Sequence, residues 1–196
     1  MVSPSDDDVQ RIVEGFLSGV LPKSEWTHTA HLIAGTWHVY HLRAPAALEA
    51  IRARILALND FHGTPNTDTR GYHETITRAH VVLIDDQLIR CPSATVFDAV
   101  RTVLDSDLAN PRGLLRYYSE TRLMSVDARR GWCEPDLQPL PDPGRLVALS
   151  CPASAGPAWI EESVLRAGRR HDRGGDERDQ VVEVDRLGDV EVIAGS

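Results

Sequence analysis

Trp26-Thr27-His28-Thr29-Ala30-His31-Leu32 opens an apolar run that continues to Tyr40, and Gly71-Tyr72-His73-Glu74-Thr75-Ile76-Thr77 opens a second that continues to Ile89. Both runs repeat their apolar residues at helical rather than strand spacing. In the first, Trp26, Ala30, Ile33, Trp37 and Tyr40 form an i, i+4, i+7 stripe that must face a core, and His28, His31, Gly35 and His38 fall in the opposite sector. In the second, Tyr72, Ile76, Ala79 and Leu83 form the core face, while His73, Thr77, His80 and Ile84 share another. Two helices that both carry imidazoles can build one site between them.

The same period extends outward in both directions. Residues 6–17 carry Val9, Ile12, Val13, Phe16 and Leu17 behind three aspartates that suit a helix N-terminus, with Gly19 as the stop. The second helix is predicted to open after Pro22, with Ser24 as its cap, and to end near Arg43. A third spans 45–58, a fourth begins at Asp68 or Thr69, and a fifth follows Ser93. Leu114 to Arg130 reads as one or two short helices. Prolines 135, 139, 141 and 143 exclude helix beyond Trp132 and predict an extended strap. The expected fold is therefore all-α: a compact bundle of about five to seven helices over residues 5–141 that carries the site. A C-terminal extension over 142–196, rich in charge and small residues, is largely irregular, with a short helix at 159–165 and a weak hairpin around Leu187 to Asp189.

Composition narrows the function classes. The chain has 196 residues and a net charge of −8 with mixed signs, which argues against nucleic acid and leaves a small molecule as the expected partner; a homodimer is also allowed. There is no apolar run of about 18 residues, and the acidic N-terminus does not resemble a secretory signal, so no membrane partner and a cytoplasmic location are expected. Cys91, Cys133 and Cys151 are too few and too scattered for a disulfide framework or a metal knuckle.

Chemistry concentrates in two places. His28, His31 and His73, with Glu74, are the candidate catalytic residues, because an imidazole titrating near neutrality is the natural general acid or base. Tyr72, Arg116, Tyr117 and Arg129 are the candidate substrate-binding residues, since a planar guanidinium suits a carboxylate. No cofactor is expected on this reading. The alternatives are a mononuclear divalent-metal hydrolase or oxygenase using His28, His31 and His73, and a non-catalytic helical protein that binds a small ligand. Glu25-x-x-His28 matches one half of a carboxylate-bridged dimetal pattern, but the second half is missing.

The strings Trp26 to Leu32, Gly71 to Thr77, Leu114-Leu115-Arg116-Tyr117-Tyr118-Ser119 and Ala128 to Pro141 together resemble a family of small bacterial proteins mostly without assigned function. They are also similar to the RedY-type proteins of bisindole pathways. That resemblance implies a natural-product enzyme that acts on a reactive intermediate without an obvious cofactor. It covers residues 5 to 141 and implies nothing for the tail.

Overall fold

A computed structural model describes residues 4–141 of the chain, and the expectations for the C-terminal extension and Cys151 lie outside them. Among the described residues there are seven α-helices and no strand: α1 Asp6–Ser18, α2 His28–Leu42, α3 Ala44–Phe61, α4 Glu74–Arg90, α5 Val96–Leu104, α6 Glu120–Leu123 and α7 Val126–Arg130. Short 3₁₀ turns occupy Lys23–Glu25, Asp107–Ala109 and Gly113–Arg116. No described helix is long and apolar enough to cross a membrane.

Every described α-helix except α3 starts where a polar side chain can satisfy its orphan N–H groups; α3 starts instead with Pro45 in its first turn. Ser5 and Asp8 close a reciprocal capping box on α1, and Gly19 ends that helix in the left-handed region at φ 71°. Thr27, Thr95, Ser119 and Ser125 cap α2, α5, α6 and α7 with their hydroxyls.

Two of the expected boundaries move. Ser24 is not the cap of α2: a 3₁₀ turn intervenes, Thr27 takes the role, and Trp26 leaves the helix to stack on Phe16 with ring centroids 4.8 Å apart. The fourth helix starts at Glu74 and not at Asp68. Asn66 holds the preceding loop by accepting from Tyr72 N–H at 2.8 Å and from Asn59 Nδ2 at 2.9 Å. Gly71 completes that loop at φ 81°, and a Cβ there would sit 2.5 Å from Asn66 Oδ1 and 2.8 Å from the Pro65 carbonyl. Gly71→Ala is therefore expected to lower stability by about 2–3 kcal/mol, through backbone strain and displacement of the loop. An unchanged urea midpoint would show that the loop tolerates the methyl.

Helix α2 is the centre of the bundle and packs against α1, α3, α4 and α5. Every residue from Leu32 to Val39 is buried, so the expected division into one core stripe and one polar face fails along its C-terminal half. His38 shows this most clearly. It is 1 % exposed, donates from Nδ1 to the Ala34 carbonyl at 2.7 Å and leaves Nε2 without a hydrogen-bond partner among the described residues. Gly35 lets α4 approach, since a Cβ would meet Ile84 Cδ1 at 3.0 Å. At the sharp α2–α3 corner Arg43 adopts φ 61°, and its Nη2 lies 3.0 Å from buried Asp85 Oδ1 without the alignment of a hydrogen bond.

The proline-rich strap is extended, as expected, and it is tied down. Leu137 N–H donates to the Tyr117 carbonyl, Ser119 binds the Asp136 carboxylate through N–H and Oγ, and buried Tyr118 donates its hydroxyl to the Cys133 carbonyl. Thr75 Oγ1 donates to the Gly131 carbonyl at 2.7 Å and accepts from Cys133 N–H at 3.0 Å, which pins the strap and the end of α7 onto α4. Cys91 and Cys133 are free thiols.

Candidate functional site

Helices α2, α3 and α4, the loop 62–73 and the α6–α7 corner enclose a cavity of about 460 Å³, within the usual size of small-molecule sites. Its apolar wall includes Leu32, Ile51, Ile55, Ile76 and Ile84, and five histidines reach it: His28, His31, His62, His73 and His80.

Four of these share one arrangement, and His62, whose Nε2 lies 2.7 Å from the Leu21 carbonyl, is the one that stands apart from the other three. His28 Nε2 lies 3.0 Å from the Leu108 carbonyl, His31 Nδ1 lies 2.7 Å from the Thr27 carbonyl, and His80 Nδ1 lies 2.9 Å from the Ile76 carbonyl. A ring nitrogen facing a carbonyl must carry the proton. The opposite nitrogens, His28 Nδ1, His31 Nε2 and His80 Nε2, are then lone-pair bases with no partner among the described residues. The His28 and His80 rings are 5.8 Å apart in an edge-to-face pair, and His31 stacks at 3.9 Å on Trp26.

Burial pushes His31 down to about 4, opposed by its bond to Thr27 and reinforced by the charges of His28 and His80. His31 is nonetheless an exposed residue, so solvent moderates that shift. Burial likewise pushes His80 down to about 4, against the pull of Ile76 and with the help of His28.

His73 is built differently. It is the N-cap of α4: its Nδ1 accepts from Ile76 N–H at 3.3 Å, and its Nε2 lies 3.0 Å from the Leu123 carbonyl. It lines the cavity, but both ring nitrogens are committed. Burial, then the nearby Arg129 charge, push it down to about 4. Glu74 does not reach the cavity at all. Arg52 grips its carboxylate with Nε at 2.9 Å and Nη2 at 2.5 Å, and Tyr72 donates its hydroxyl at 2.7 Å, so Glu74 ties α3 to the start of α4. Burial raises the carboxyl, but the bonds from Arg52 and Tyr72 outweigh that and hold it below its usual range.

The expected substrate-binding residues separate into two groups. Tyr72 and Arg129 line the large cavity; burial and the Glu74 carboxylate push the Tyr72 phenol up to about 12. Arg116 and Tyr117 belong instead to a neighbouring hollow of about 230 Å³, where Arg116 stands 3.6 Å from Asp107. His80 and Leu114 form part of the wall common to both spaces.

A metal centre of His28, His31 and His73 does not fit this geometry, because His73 has no free lone pair. Among the described residues no group of three or more His, Cys, Asp or Glu side chains is placed to hold an ion. Sequence reasoning put His80 on the same helix face as His73 without making it a site residue. Its spacing of seven from His73 was the available signal, and only the crossing of α2 and α4 makes His80 a neighbour of His28. Compared with protein-family models, with curated proteins and with solved structures, the chain finds no match.

Proposed function

We propose that this protein is a small-molecule enzyme working by general acid–base catalysis in the α2–α4 cavity, with His31 and His80 as the proton-transferring groups and His28 as their partner. The observation that carries this reading is the common hydrogen bonding of the three imidazoles. Each donates its N–H to a backbone carbonyl and leaves the other nitrogen free of partners among the described residues, on one partly open cavity. The carbonyl fixes the tautomer and the ring orientation and stabilises the imidazolium that forms when the free nitrogen takes a proton. One imidazole removes a proton from the substrate. The imidazolium so formed returns that proton at another atom of the same molecule, and burial, which disfavours the charged ring, makes it a stronger acid than a free imidazolium. Isomerisation, dehydration and decarboxylation need no more than this. On this reading His73 and Glu74 act as positioning residues that set the start of α4. The resemblance to RedY-type proteins supports a cofactor-independent step on a natural-product intermediate.

The test is to incubate the purified chain with a small-molecule extract and follow depletion and appearance of metabolites by mass spectrometry, beside His31→Gln and His80→Gln. Each variant is expected to slow conversion by about 10²–10⁴-fold while the melting temperature stays near the parent's. The rate should be flat above neutral pH and fall as pH drops toward 4, because the bases must be unprotonated. Retention of a compound without conversion would make the protein a binding module. Full activity in both variants would remove the histidines from the chemistry.

A further inference from the structure

Asp and Glu outnumber Lys and Arg in this chain by 29 to 21, yet the wall of the large cavity reverses that balance. Lys23, Arg70, Arg112 and Arg129 line it, and no aspartate or glutamate does. The arginines that have a carboxylate within ion-pair distance, Arg52 on Glu74 and Arg43 on Asp85 among them, all lie elsewhere. Among the described residues none of the four has a carboxylate within ion-pair distance, Asp68 acting on Arg129 only from further off, so the cavity wall carries a net positive field.

Arg129 is the best-placed of the four. It is half-buried on α7, and only Nη1 is engaged, at 3.1 Å from the Gly71 carbonyl and 3.3 Å from the Tyr72 carbonyl. Those two bonds fix the plane of the guanidinium. Nε and Nη2 bond to nothing among the described residues, so one edge of the donor fork stays open, and such an edge matches a two-oxygen anion. Arg112, an exposed residue, lines both this cavity and the smaller hollow.

We infer that the cavity is a receptor for a small organic oxyanion, a carboxylate or phosphate monoester on an apolar body, with its charged group on the open edge of Arg129. The body then lies along Leu32, Ile76 and Ile84 and brings its reacting atoms toward His28, His31 and His80. This rests on the acid–base reading for what happens next and adds to it the charge class of the substrate. A bound anion also counters the Arg129 charge that helps keep His73 unprotonated, so binding and proton affinity in the cavity rise together.

Three probes with the same body and different charges test it: 2-naphthoate, 2-naphthyl phosphate and 2-naphthylmethylammonium, titrated by calorimetry into the full chain at pH 7. At least one oxyanion is expected to bind about tenfold or more tightly than the ammonium, and to weaken as sodium chloride is raised. Whichever of naphthoate and naphthyl phosphate binds tighter identifies the group. Arg129→Gln should weaken that oxyanion by about tenfold, and Arg129→Lys should recover only part, because the charge returns without the fork. If Arg129→Gln does not fold, Arg112→Gln serves in its place with a smaller expected loss of a few-fold. The inference is overturned if the ammonium binds as tightly as both oxyanions, if neither oxyanion binds at millimolar concentration, or if folded arginine variants keep the parent affinity. No turnover enters the measurement, so inactive His31 and His80 variants that still bind the oxyanion would separate this result from the acid–base reading.

Discussion

Lowering the pH from 7 to 5 is expected to destabilise this domain by several kcal/mol, before most carboxylates titrate. Burial holds His38 and His73 near 4, against an ordinary histidine value of 6.5. Between those values the unfolded chain binds protons that the folded chain refuses, so stability is fully present above 6.5 and is lost as pH falls toward 4. Each of these two buried rings contributes a loss of about 2 kcal/mol by pH 5 and on the order of 3 kcal/mol by pH 4. His31 and His80 add in the same direction and by less per ring, because both open onto the cavity. Urea unfolding at pH 7 and pH 5 measures the effect, and equal midpoints would show that these rings protonate without cost. His73→Asn is the sharper version. Asparagine keeps a side-chain acceptor at the cap but cannot titrate, so the variant should lose about one proton's worth of pH slope between 6.5 and 5.

Trp37→Ala is expected to cost about 3–5 kcal/mol and to leave little folded protein at 37 °C. Trp37 is 5 % exposed and belongs to the core where α1, α2 and α5 meet, with Val9, Val13, Leu17 and Val100 around it. Deleting the indole opens a cavity that three helices must collapse to fill. His41→Ala is the comparison. An exposed histidine at that position would cost less than about 0.5 kcal/mol, whereas the ring is half-buried, 4.5 Å from Trp37 and 5.2 Å from Tyr40. About 1 kcal/mol is therefore expected, from lost ring contacts. Equal losses in the two variants, read from denaturant midpoints, would mean that Trp37 is not the anchor of this core.

The all-α architecture was legible without coordinates, and for a plain reason. In α1 and α5 the apolar residues recur every three to four positions behind a capping residue, and in α3 they do so behind Pro45; these signals are local. Helix beginnings were less so wherever two caps competed. Ser24 and Thr27 both qualify for α2; the stacking of Trp26 between Phe16 and His31 selects Thr27. Thr69 is chemically a better cap than His73, yet the Asn66-centred loop needs the chain to stay non-helical through Gly71, and His73 caps α4 with its own ring.

The site divides along the same line. Periodicity placed His28 and His31 on one face of the second helix and His80 on the face of the fourth that carries His73, because a helix repeats its direction every 3.6 residues whatever surrounds it. Which imidazoles keep a lone pair is not a periodic property. It depends on carbonyls as distant in the chain as Leu108 is from His28 and Leu123 is from His73, and on an arginine placed to occupy Glu74. Sequence alone therefore determined the helices and the presence of histidines within them. Only the packing of α4 across α2, with the loops that close over it, decided which histidines stayed free and gave an acidic chain a cavity lined with cations, because hydrogen bonds and fields act through space and not along the chain.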